Sequence, residues 1–377
     1  MFAVGMIKGK AGVRDFEVLM PEIRQPDEVL VRVKEVGLDG TDFGIARYGL
    51  DDMAKGKNRM IMGHEMVGVV EEVGERVSSL APGDPVVVTV RCGCGICQPC
   101  RNNESDMCMT GLFSERGIHK LDGFLTRFTV AKERYVVKVP VELVKLAIFT
   151  EPLSIVEKAI EQITIIQSRL IWTCSHTEHA YSSEHWGDCK TALVVGAGPL
   201  GLLATALLRL NDVRTYTSDI LPDDHPRAQL SRATGTHYID ARGNTPDGLA
   251  RTCYAIGNLD IIFEAAGAVA TAVELINCMS RSSIYVMTGI PQGNLKIEVD
   301  AASIVSRLVR QNQVVVGSVN SNRTHFEKAL KDIPEINSRF SGMLDRMVTH
   351  RFRLEDYQQA FAPQNPPAIK TVIEVEP

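Results

Sequence analysis

Apolar residues in positions 1–150 occur in short runs that turn-forming residues separate. Residues 29–33, 67–73 and 86–90 are such runs, and a Pro-Gly-Asp turn signal stands at residues 82–84. Short apolar runs bounded by glycine, proline and aspartate are typical of β-strands. The pattern therefore predicts a β-rich first domain.

The hydrophobic pattern changes after residue 150. Apolar residues at helical spacing over residues 151–167 predict a helix, and from Thr191 onward strand-like runs alternate with helical stretches. This alternation indicates a parallel, doubly wound sheet. The last run, residues 369–375, is predicted to return as a strand to the first domain. The alternating region contains predicted strands at residues 192–195, 213–217, 260–264, 284–287 and 314–317, with a helix that ends at Leu210 after the first of them.

Composition and charge exclude several classes of protein. The chain has 377 residues, enough for two domains, and its 45% hydrophobic and 23% charged residues are ordinary for a soluble globular protein. A net charge of -5 predicts neither a nucleic-acid partner nor a polybasic membrane patch. No apolar run approaches the ~20 residues of a membrane span, and the N-terminus reads as a strand and turn rather than as a signal peptide. Because nine cysteines suit a reducing interior, we expect a cytoplasmic protein.

Four cysteines of the first domain have the spacing Cys-x2-Cys-x2-Cys-x7-Cys. Four thiolates so close in sequence suit tetrahedral Zn²⁺. A disulfide framework is the alternative, but a chain of this length can build its own core without covalent cross-links. The spacing therefore predicts a structural zinc site held by Cys94, Cys97, Cys100 and Cys108.

A G-x-G-x-x-G run lies between the strand at residues 192–195 and the helix that follows it. In this context the first glycine permits a tight turn, the second lets the backbone approach a pyrophosphate, and the third allows close packing of helix against strand. The helix N-terminus adds N–H donors and a positive dipole. These features predict a dinucleotide site formed by Gly196, Gly198, Pro199, Leu200 and Gly201.

The end of the second strand of a dinucleotide domain selects between NAD and NADP. Asp219 lies 18 residues beyond Gly201, where a carboxylate accepts hydrogen bonds from the adenine ribose and repels a 2′-phosphate. An exposed loop aspartate is the alternative, and Arg227 is close enough in sequence for a phosphate contact. We predict a preference for NAD, with NADP as the alternative.

Two further motifs and one carboxylate carry possible metal ligands. His64 and Glu65 follow an apolar run and precede a predicted strand, whereas Asp39 and Thr41 lie in a glycine-flanked turn. Glu151 follows a threonine at the junction of the two predicted domains. A lone His-Glu pair is more often structural than ligating, but histidine and carboxylates together are ordinary zinc ligands.

With these motifs, the chain resembles the zinc-containing medium-chain dehydrogenase/reductase family, and within it most the archaeal-type glucose dehydrogenases. The resemblance covers essentially the whole chain and is carried by the segments GHEMVGVV, GIHKLDGF, EPLSIVEKAIE and GSVN. It implies an α/β fold with two domains. The GroES-like catalytic domain would comprise residues 1–188, completed by 322–377, and the Rossmann domain residues 189–321.

The resemblance implies a catalytic zinc in addition to the structural one. Asp39 and His64 would be its direct ligands, with Glu65 and Glu151 as direct or water-mediated members of the same shell. Many relatives have cysteine at the position of Asp39, and aspartate is a harder, weaker zinc ligand. The Asn-Arg-Arg run that lets glucose dehydrogenases accept NADP is replaced by Thr-Ser-Asp at residues 217–219, in favour of NAD.

The resemblance also implies the reaction and its substrate residues. Thr41 would contact the reacting oxygen, and Glu115 and Asn320 match positions that hold sugar hydroxyls. An aldose, D-glucose above all, would be oxidised at its anomeric carbon to the lactone, with hydride passing to the nicotinamide. Val90 stands where some glucose dehydrogenases present an asparagine, which leaves a polyol or secondary alcohol open as the substrate. A nucleotide-binding protein without turnover is the alternative from another class.

Three further expectations concern the rest of the molecule. We expect a homo-oligomer, either a dimer or a tetramer. Residues 172–190, which are polar and irregular, are predicted to form a connecting loop. Glu157, Lys158 and Glu161 are predicted to form a solvated helix face without a function.

Overall fold

The computed structural model describes residues 1–49, 53–168, 186–242, 246–291 and 295–376. The connecting loop predicted in the sequence therefore lies mostly outside the described residues. Within the described ranges, no helix is both long enough and apolar enough to cross a bilayer.

Contacts within the chain divide it into two compact units. The chain leaves the first unit twice, after Ile155 and after Asn337, and returns to it both times. The domain bounds drawn from the family resemblance stay a prediction. The first unit comprises Met1–Ile155, Asn320–Asn337 and Leu344–Pro377, and the second comprises Val156–Val319 and Ser338–Met343.

The first part of the chain is built mainly of β-strands, as its short apolar runs predict. Val29, Val31 and Val33 are fully buried at alternate positions of one long strand, because successive side chains of a strand point to opposite faces. The elements are β1 (Phe2–Ile7), β2 (Arg14–Glu17), β3 (Glu28–Leu38), α1 (Gly40–Tyr48), β4 (Arg59–Ile61), β5 (Glu65–Val73), β6 (Pro85–Val88), β7 (Arg91–Cys92), α2 (Gln98–Arg101), β8 (Ser114–Arg116), β9 (Lys120–Leu121), β10 (Phe128–Lys132) and β11 (Val136–Lys138).

Helix α3 (Thr150–Gln167) confirms the helix predicted from residue 151. Leu153, Val156 and Ala159 recur at helical spacing and are fully buried. The predicted solvated face is wrong for Glu157 and Lys158, which are 7% and 5% exposed. The Nζ of Lys158 donates a hydrogen bond to the carbonyl oxygen of Val319 at 2.9 Å, so this lysine faces protein rather than water.

The second unit contains a six-stranded parallel sheet in the order β14-β13-β12-β15-β16-β17. The chain starts at the centre and builds the sheet outward in both directions, as the predicted doubly wound fold requires. The glycine run follows the central strand β12, where the strand order reverses. The elements are β12 (Thr191–Val195), α4 (Pro199–Leu210), β13 (Arg214–Asp219), α5 (Pro226–Ala233), β14 (His237–Asp240), α6 (Pro246–Ile256), β15 (Ile261–Glu264), α7 (Val269–Glu274), β16 (Ile284–Met287), α8 (Ala301–Arg310) and β17 (Val314–Gly317).

The C-terminal strand completes the main sheet of the first unit. Val372 of β19 lies opposite Gly37 of β3 in an antiparallel pair, and Gly37 in turn lies opposite Glu65 at the start of β5. This pairing confirms the predicted return of the last strand to the first domain, and it places three strand ends side by side. The sheet has the order β11-β6-β5-β3-β19-β18, with β10 also paired to β3. The closing elements are α9 (Arg323–Arg339), α10 (Met343–Met347), β18 (Val348–Arg353), α11 (Tyr357–Phe361) and β19 (Lys370–Glu374).

Candidate functional site

Asp39 connects strand β3 to helix α1 and caps the helix. Its Oδ1 accepts hydrogen bonds from the backbone N–H groups of Thr41 at 2.8 Å and Asp42 at 3.1 Å. The Asp42 carboxylate accepts in return from the Asp39 N–H at 3.3 Å, which makes a reciprocal capping box. The segment predicted as a tight turn is thus the start of a helix. The cap fixes the Asp39 carboxylate, and the Thr41 hydroxyl donates to its second oxygen at 3.2 Å.

His64 lies directly before strand β5 and is buried between two carboxylates. Its Nε2 is 3.6 Å from Oδ1 of Asp39, and its Nδ1 is 3.6 Å from Oδ2 of Asp42. The preceding Gly63 has a φ of 82°, and a side chain there would press against Val36. A carboxylate behind a histidine is the usual device that fixes the orientation of a metal-binding imidazole. Asp42 has this position, and the sequence analysis missed it.

Three of the predicted zinc residues meet in the fold. Ligand atoms of Asp39, His64 and Glu65 all lie within 4.8 Å of one another. Glu151 is buried and does not belong to this three-residue group, but the charges of all three act on it. Burial, reinforced by the negative charges of Glu65 and Asp39, raises the pKa of Glu151 to about 8. The fold therefore brings together residues that are 112 positions apart in sequence, from Asp39 to Glu151.

Lys370, on strand β19, belongs to the same group of residues and was not predicted. Its side chain is fully buried and forms an ion pair with Oε2 of Glu65. Gly37 lies between them, and a side chain on Gly37 would collide with both the Glu65 carboxylate and the lysine stem. A buried ion pair of this kind is costly to break, because the partner left behind is an uncompensated charge.

The group carries more negative than positive side chains. Burial alone would raise the pKa of Asp39, but the nearby charges of His64 and Lys370 hold that pKa below its ordinary value. Burial alone would lower the pKa of His64, but Asp39 and Asp42 raise it well above its ordinary value. A proton on His64 thus offsets the carboxylates, and a divalent cation would replace it.

The donor set fits zinc on chemical grounds. Imidazole nitrogen and carboxylate oxygen are both common Zn²⁺ ligands. Among the described residues, His64 Nδ1 and Asp42 Oδ1 are buried without a hydrogen-bond partner, as expected of a group arranged around a charge rather than around internal hydrogen bonds.

The four predicted cysteine ligands also meet. The Sγ atoms of Cys94, Cys97, Cys100 and Cys108 lie within 4.8 Å of one another, and the cysteines among the described residues are free thiols. Hydrogen bonds from Thr110 and from backbone N–H groups lower the pKa of Cys94 to about 5, whereas burial raises that of Cys100 to about 12. Thiols gathered without bridging fit a tetrahedral zinc rather than a disulfide framework.

The two predicted sugar residues touch each other. Nδ2 of Asn320 donates to Oε1 of Glu115 at 2.6 Å, although the residues are 205 positions apart. Asn320 has a φ of 60°, in the left-handed region, and its Oδ1 accepts from the N–H of Ser321 at 2.9 Å. Val90 is 2% exposed, so its side chain belongs to the core.

The glycine run has the geometry of a pyrophosphate site. Gly196 has a φ of 101°, and a side chain on Gly201 would collide with its carbonyl oxygen, which explains the tight turn and the close packing. A side chain on Gly198 would meet nothing within 4 Å, so the backbone is open on this side. Gly198 also caps helix α4 without a side-chain hydrogen bond, which leaves the first-turn N–H groups to a bound anion.

Asp219, at the end of strand β13, is hydrogen-bonded to the glycine run. Its Oδ2 accepts a hydrogen bond from the N–H of Ala197 at 2.5 Å. Arg227, in the first turn of α5, is close enough that the charge of Asp219 acts on it, while burial lowers the pKa of the guanidinium. Asp219 therefore lies beside the dinucleotide loop rather than in a remote exposed loop.

Two family models match the chain. The model described as "Alcohol dehydrogenase GroES-like domain" matches residues 25–141, and the model described as "Glucose dehydrogenase C-terminus" matches residues 144–375. Together they span both units and nearly the whole length.

Individual relatives give the same picture. The glucose 1-dehydrogenase of Methanocella arvoryzae is 35% identical over 333 residues, which cover 88% of this chain and 88% of the relative. Glucose 1-dehydrogenase 2 of Vulcanisaeta moutnovskia is 34% identical over 379 residues, 100% of this chain and 99% of the relative. Among solved structures, the glucose dehydrogenase of Haloferax mediterranei in complex with NADP, Zn and gluconolactone matches with a TM-score of 0.86 at 28% identity, over 100% of both chains.

Proposed function

Since this chain belongs to the glucose dehydrogenase branch of the zinc-containing medium-chain dehydrogenase/reductase family, we propose that it oxidises D-glucose at the anomeric carbon to the lactone. It is an NAD(P)-dependent dehydrogenase. The observation that carries the proposal is the convergence of Asp39, His64 and Glu65 in the unit that also holds the Glu115–Asn320 pair. A metal-binding group and a pair of sugar-binding side chains in one unit fit an alcohol oxidation.

The residues of the first unit have distinct proposed roles. Asp39 and His64 would hold the catalytic zinc, with Glu65 and Glu151 beside it. When bound, zinc would act as a Lewis acid on the reacting hydroxyl, and the nicotinamide would accept the hydride. The Thr41 hydroxyl, which donates to Asp39, would pass the substrate proton outward. Cys94, Cys97, Cys100 and Cys108 would hold the second, structural zinc.

The substrate residues act by hydrogen bonding. A carboxylate accepts hydrogen bonds only, so Glu115 would take hydroxyl protons of the sugar. The Asn320 amide is fixed by Glu115 and Ser321, so it would present its remaining N–H to a sugar oxygen. The two side chains together match an aldose with neighbouring hydroxyls.

A panel of substrates with both cofactors tests the proposed function. We expect the highest kcat/KM with D-glucose, compared with D-galactose, D-xylose and sorbitol. Higher kcat/KM with sorbitol would favour the polyol alternative. No turnover with any of them, together with one zinc per chain instead of two, would favour a nucleotide-binding protein without catalysis.

The proposed cofactor preference is for NAD. One oxygen of Asp219 is bonded to the N–H of Ala197, and its other oxygen would accept the ribose hydroxyls. The 2′-phosphate of NADP would meet this carboxylate, and at an effective dielectric near 20 two unit charges ~5 Å apart repel by roughly 3 kcal/mol before screening. The structure of the relative from Haloferax mediterranei contains NADP. A difference in cofactor preference between the two proteins would therefore lie in the sequence around Asp219.

We predict that Asp219→Asn raises kcat/KM with NADP relative to NAD by about tenfold, because the like charge is removed while an acceptor for the N–H of Ala197 remains. Steady-state kinetics with both cofactors measures the ratio. Asp240→Asn is the matched control, because Asp240 ends the neighbouring strand β14 and pairs with Arg242. A wild-type preference for NADP would contradict the prediction and would assign the phosphate to Arg227 or Ser218.

A homo-oligomer is also part of the proposal. Strand β17 is the last strand of the parallel sheet, and an edge strand offers unpaired backbone groups to another chain. Helix α8, which precedes it, buries none of its residues, and Val305 and Val309 are 58% and 72% exposed. Val315 on β17 itself is exposed as well. An apolar surface next to an open sheet edge fits a second copy of this chain.

Val309→Glu is expected to shift the molecular mass in light scattering towards that of the monomer, because a charge would be buried in the contact. Val141→Glu is the matched control, since Val141 is a 75% exposed valine of the first unit. A monomeric wild-type chain, or an unchanged mass in Val309→Glu, would contradict the proposed contact.

A cytoplasmic location completes the proposal. The free thiols among the described residues fit a reducing compartment, where disulfides are rare. Fractionation of cells that express the full chain tests the location.

A further inference from the structure

Arg91 binds the carboxylate that we propose as a sugar ligand. It lies opposite Glu115 in the antiparallel pair of β7 and β8. Its Nε and Nη2 donate to Oε1 of Glu115 at 3.0 and 2.8 Å, and the two side chains are only 11% and 12% exposed. Both bonds end on the same oxygen, whereas a fork-shaped pair would give one bond to each oxygen.

The hydrogen bonds to Glu115 are made to one of its two carboxylate oxygens, Oε1. Asn320 also donates to Oε1, at 2.6 Å, so three N–H groups converge on one atom. A carboxylate has about four lone-pair sites over its two oxygens, so the bonds to Oε1 leave Oε2 to other donors. The guanidinium of Arg91 also places a positive charge beside the Glu115 carboxylate.

Arg91 is itself fixed by contacts that do not involve Glu115. Its Nη1 donates to the carbonyl oxygen of Asp106 at 2.8 Å, and its guanidinium lies 4.2 Å from the ring centroid of Phe113. Asp106 belongs to the short 3-10 turn Ser105–Met107, directly before the cysteine ligand Cys108. The position of the guanidinium is therefore set by the loop that carries the four cysteines.

We propose that Arg91 is a positioning residue for the sugar: it holds Oε1 of Glu115 so that Oε2 is presented to the substrate hydroxyls. This inference rests on the proposed function. The proposal also gives the loop that carries the four cysteines a role in substrate affinity, because Asp106 of that loop accepts a hydrogen bond from Arg91. Arg91 contacts Glu115, Asp106 and Phe113 rather than the group of Asp39, His64 and Glu65, so we expect its loss to act on substrate binding rather than on the chemical step.

The test is a comparison of KM and kcat in Arg91 variants. Arg91→Met should raise KM for D-glucose about tenfold to hundredfold, since two of the three hydrogen bonds to Oε1 of Glu115 are lost and only that from Asn320 remains. We expect kcat to change less than about threefold and the affinity for NADH, measured by fluorescence, to stay at the wild-type value. Arg91→Lys should recover part of the affinity, because lysine restores the charge but not the two N–H groups that meet at Oε1. Arg351→Met is the control, as Arg351 pairs with Glu35 and Glu374 on strands β3 and β19.

A double-mutant cycle separates positioning from a general structural role. In a Glu115→Gln background, Arg91→Met should add less than about threefold to KM, because the group that Arg91 positions is already changed. A KM for D-glucose at the wild-type value in folded Arg91→Met would overturn the proposal, and so would an equal rise of KM in both backgrounds. If Arg91→Met does not fold, Arg91→Lys decides, and a wild-type KM in that variant overturns it. A wild-type enzyme that turns over no aldose contradicts the proposed function instead, whatever the variants do.

Discussion

His64→Ala is expected to abolish turnover while NAD(H) binding stays nearly intact. His64 is the nitrogen donor in the group of Asp39, His64 and Glu65, and without it only carboxylate oxygens remain. A Lewis acid lowers the barrier of such a reaction by several kcal/mol, so its loss reduces kcat by at least about a thousandfold. The proposed dinucleotide residues around Gly198 and Asp219 lie in the second unit, so we expect the affinity for NADH not to depend on His64.

The measurements are zinc per chain, NADH affinity and kcat. We expect two zinc ions per chain in the wild type and one in His64→Ala. His237→Ala is the control, because His237 is exposed on strand β14 of the second unit. Asp39→Cys is expected to keep two zinc ions, since thiolate is a good zinc ligand. Wild-type rates in His64→Ala would show that the catalytic-metal assignment is wrong.

The architecture could be predicted from the sequence because its signals are local. The alternation of strands and helices after Thr191 predicts the parallel sheet, and strands β16 and β17 have the predicted bounds. The family assignment, the fold class and the enzyme class are confirmed. The grouping of the four cysteines could be predicted from their spacing, whereas the meeting of His64 with Asp39 was implied only by the family resemblance.

The contacts of Lys370 and Arg91 could not be predicted from the sequence, because they depend on which strands pair. Lys370 lies beside Glu65 because β19 pairs with β3 and β3 with β5, and neither pairing can be read from the lysine's own surroundings. The pair of Arg91 and Glu115 depends in the same way on the β7–β8 register. Charge alone predicts a solvated face for Glu157 and Lys158, but helix α3 is packed against protein and buries both side chains. Asp39 was placed in a turn because glycines flank it, whereas its side chain caps a helix.

Cys97→Ser is expected to remove the structural zinc and to destabilise the loop around it. A serine hydroxyl is not a thiolate, so three ligands remain and the loop is no longer closed. Cys97 is the N-cap residue of helix α2, and its N–H donates to the Sγ of Cys94 at 3.5 Å, so a bound metal would stabilise the local backbone as well. Metal-binding energy of this kind is folding energy, and we expect the melting temperature to fall by about 5 °C or more.

The effect on catalysis should be indirect. We expect the group of Asp39, His64 and Glu65 to keep its proposed zinc, so that zinc per chain falls from two to one and turnover continues. Because Asp106 lies just before Cys108 and accepts a hydrogen bond from Arg91, a loosened loop should raise KM for D-glucose more than it lowers kcat. Cys92→Ser is the matched control, since Cys92 lies two residues before the first ligand but outside the group of four. Cys92→Ser should keep two zinc ions and the wild-type melting temperature, and if Cys97→Ser does the same, the cysteines hold no structural metal.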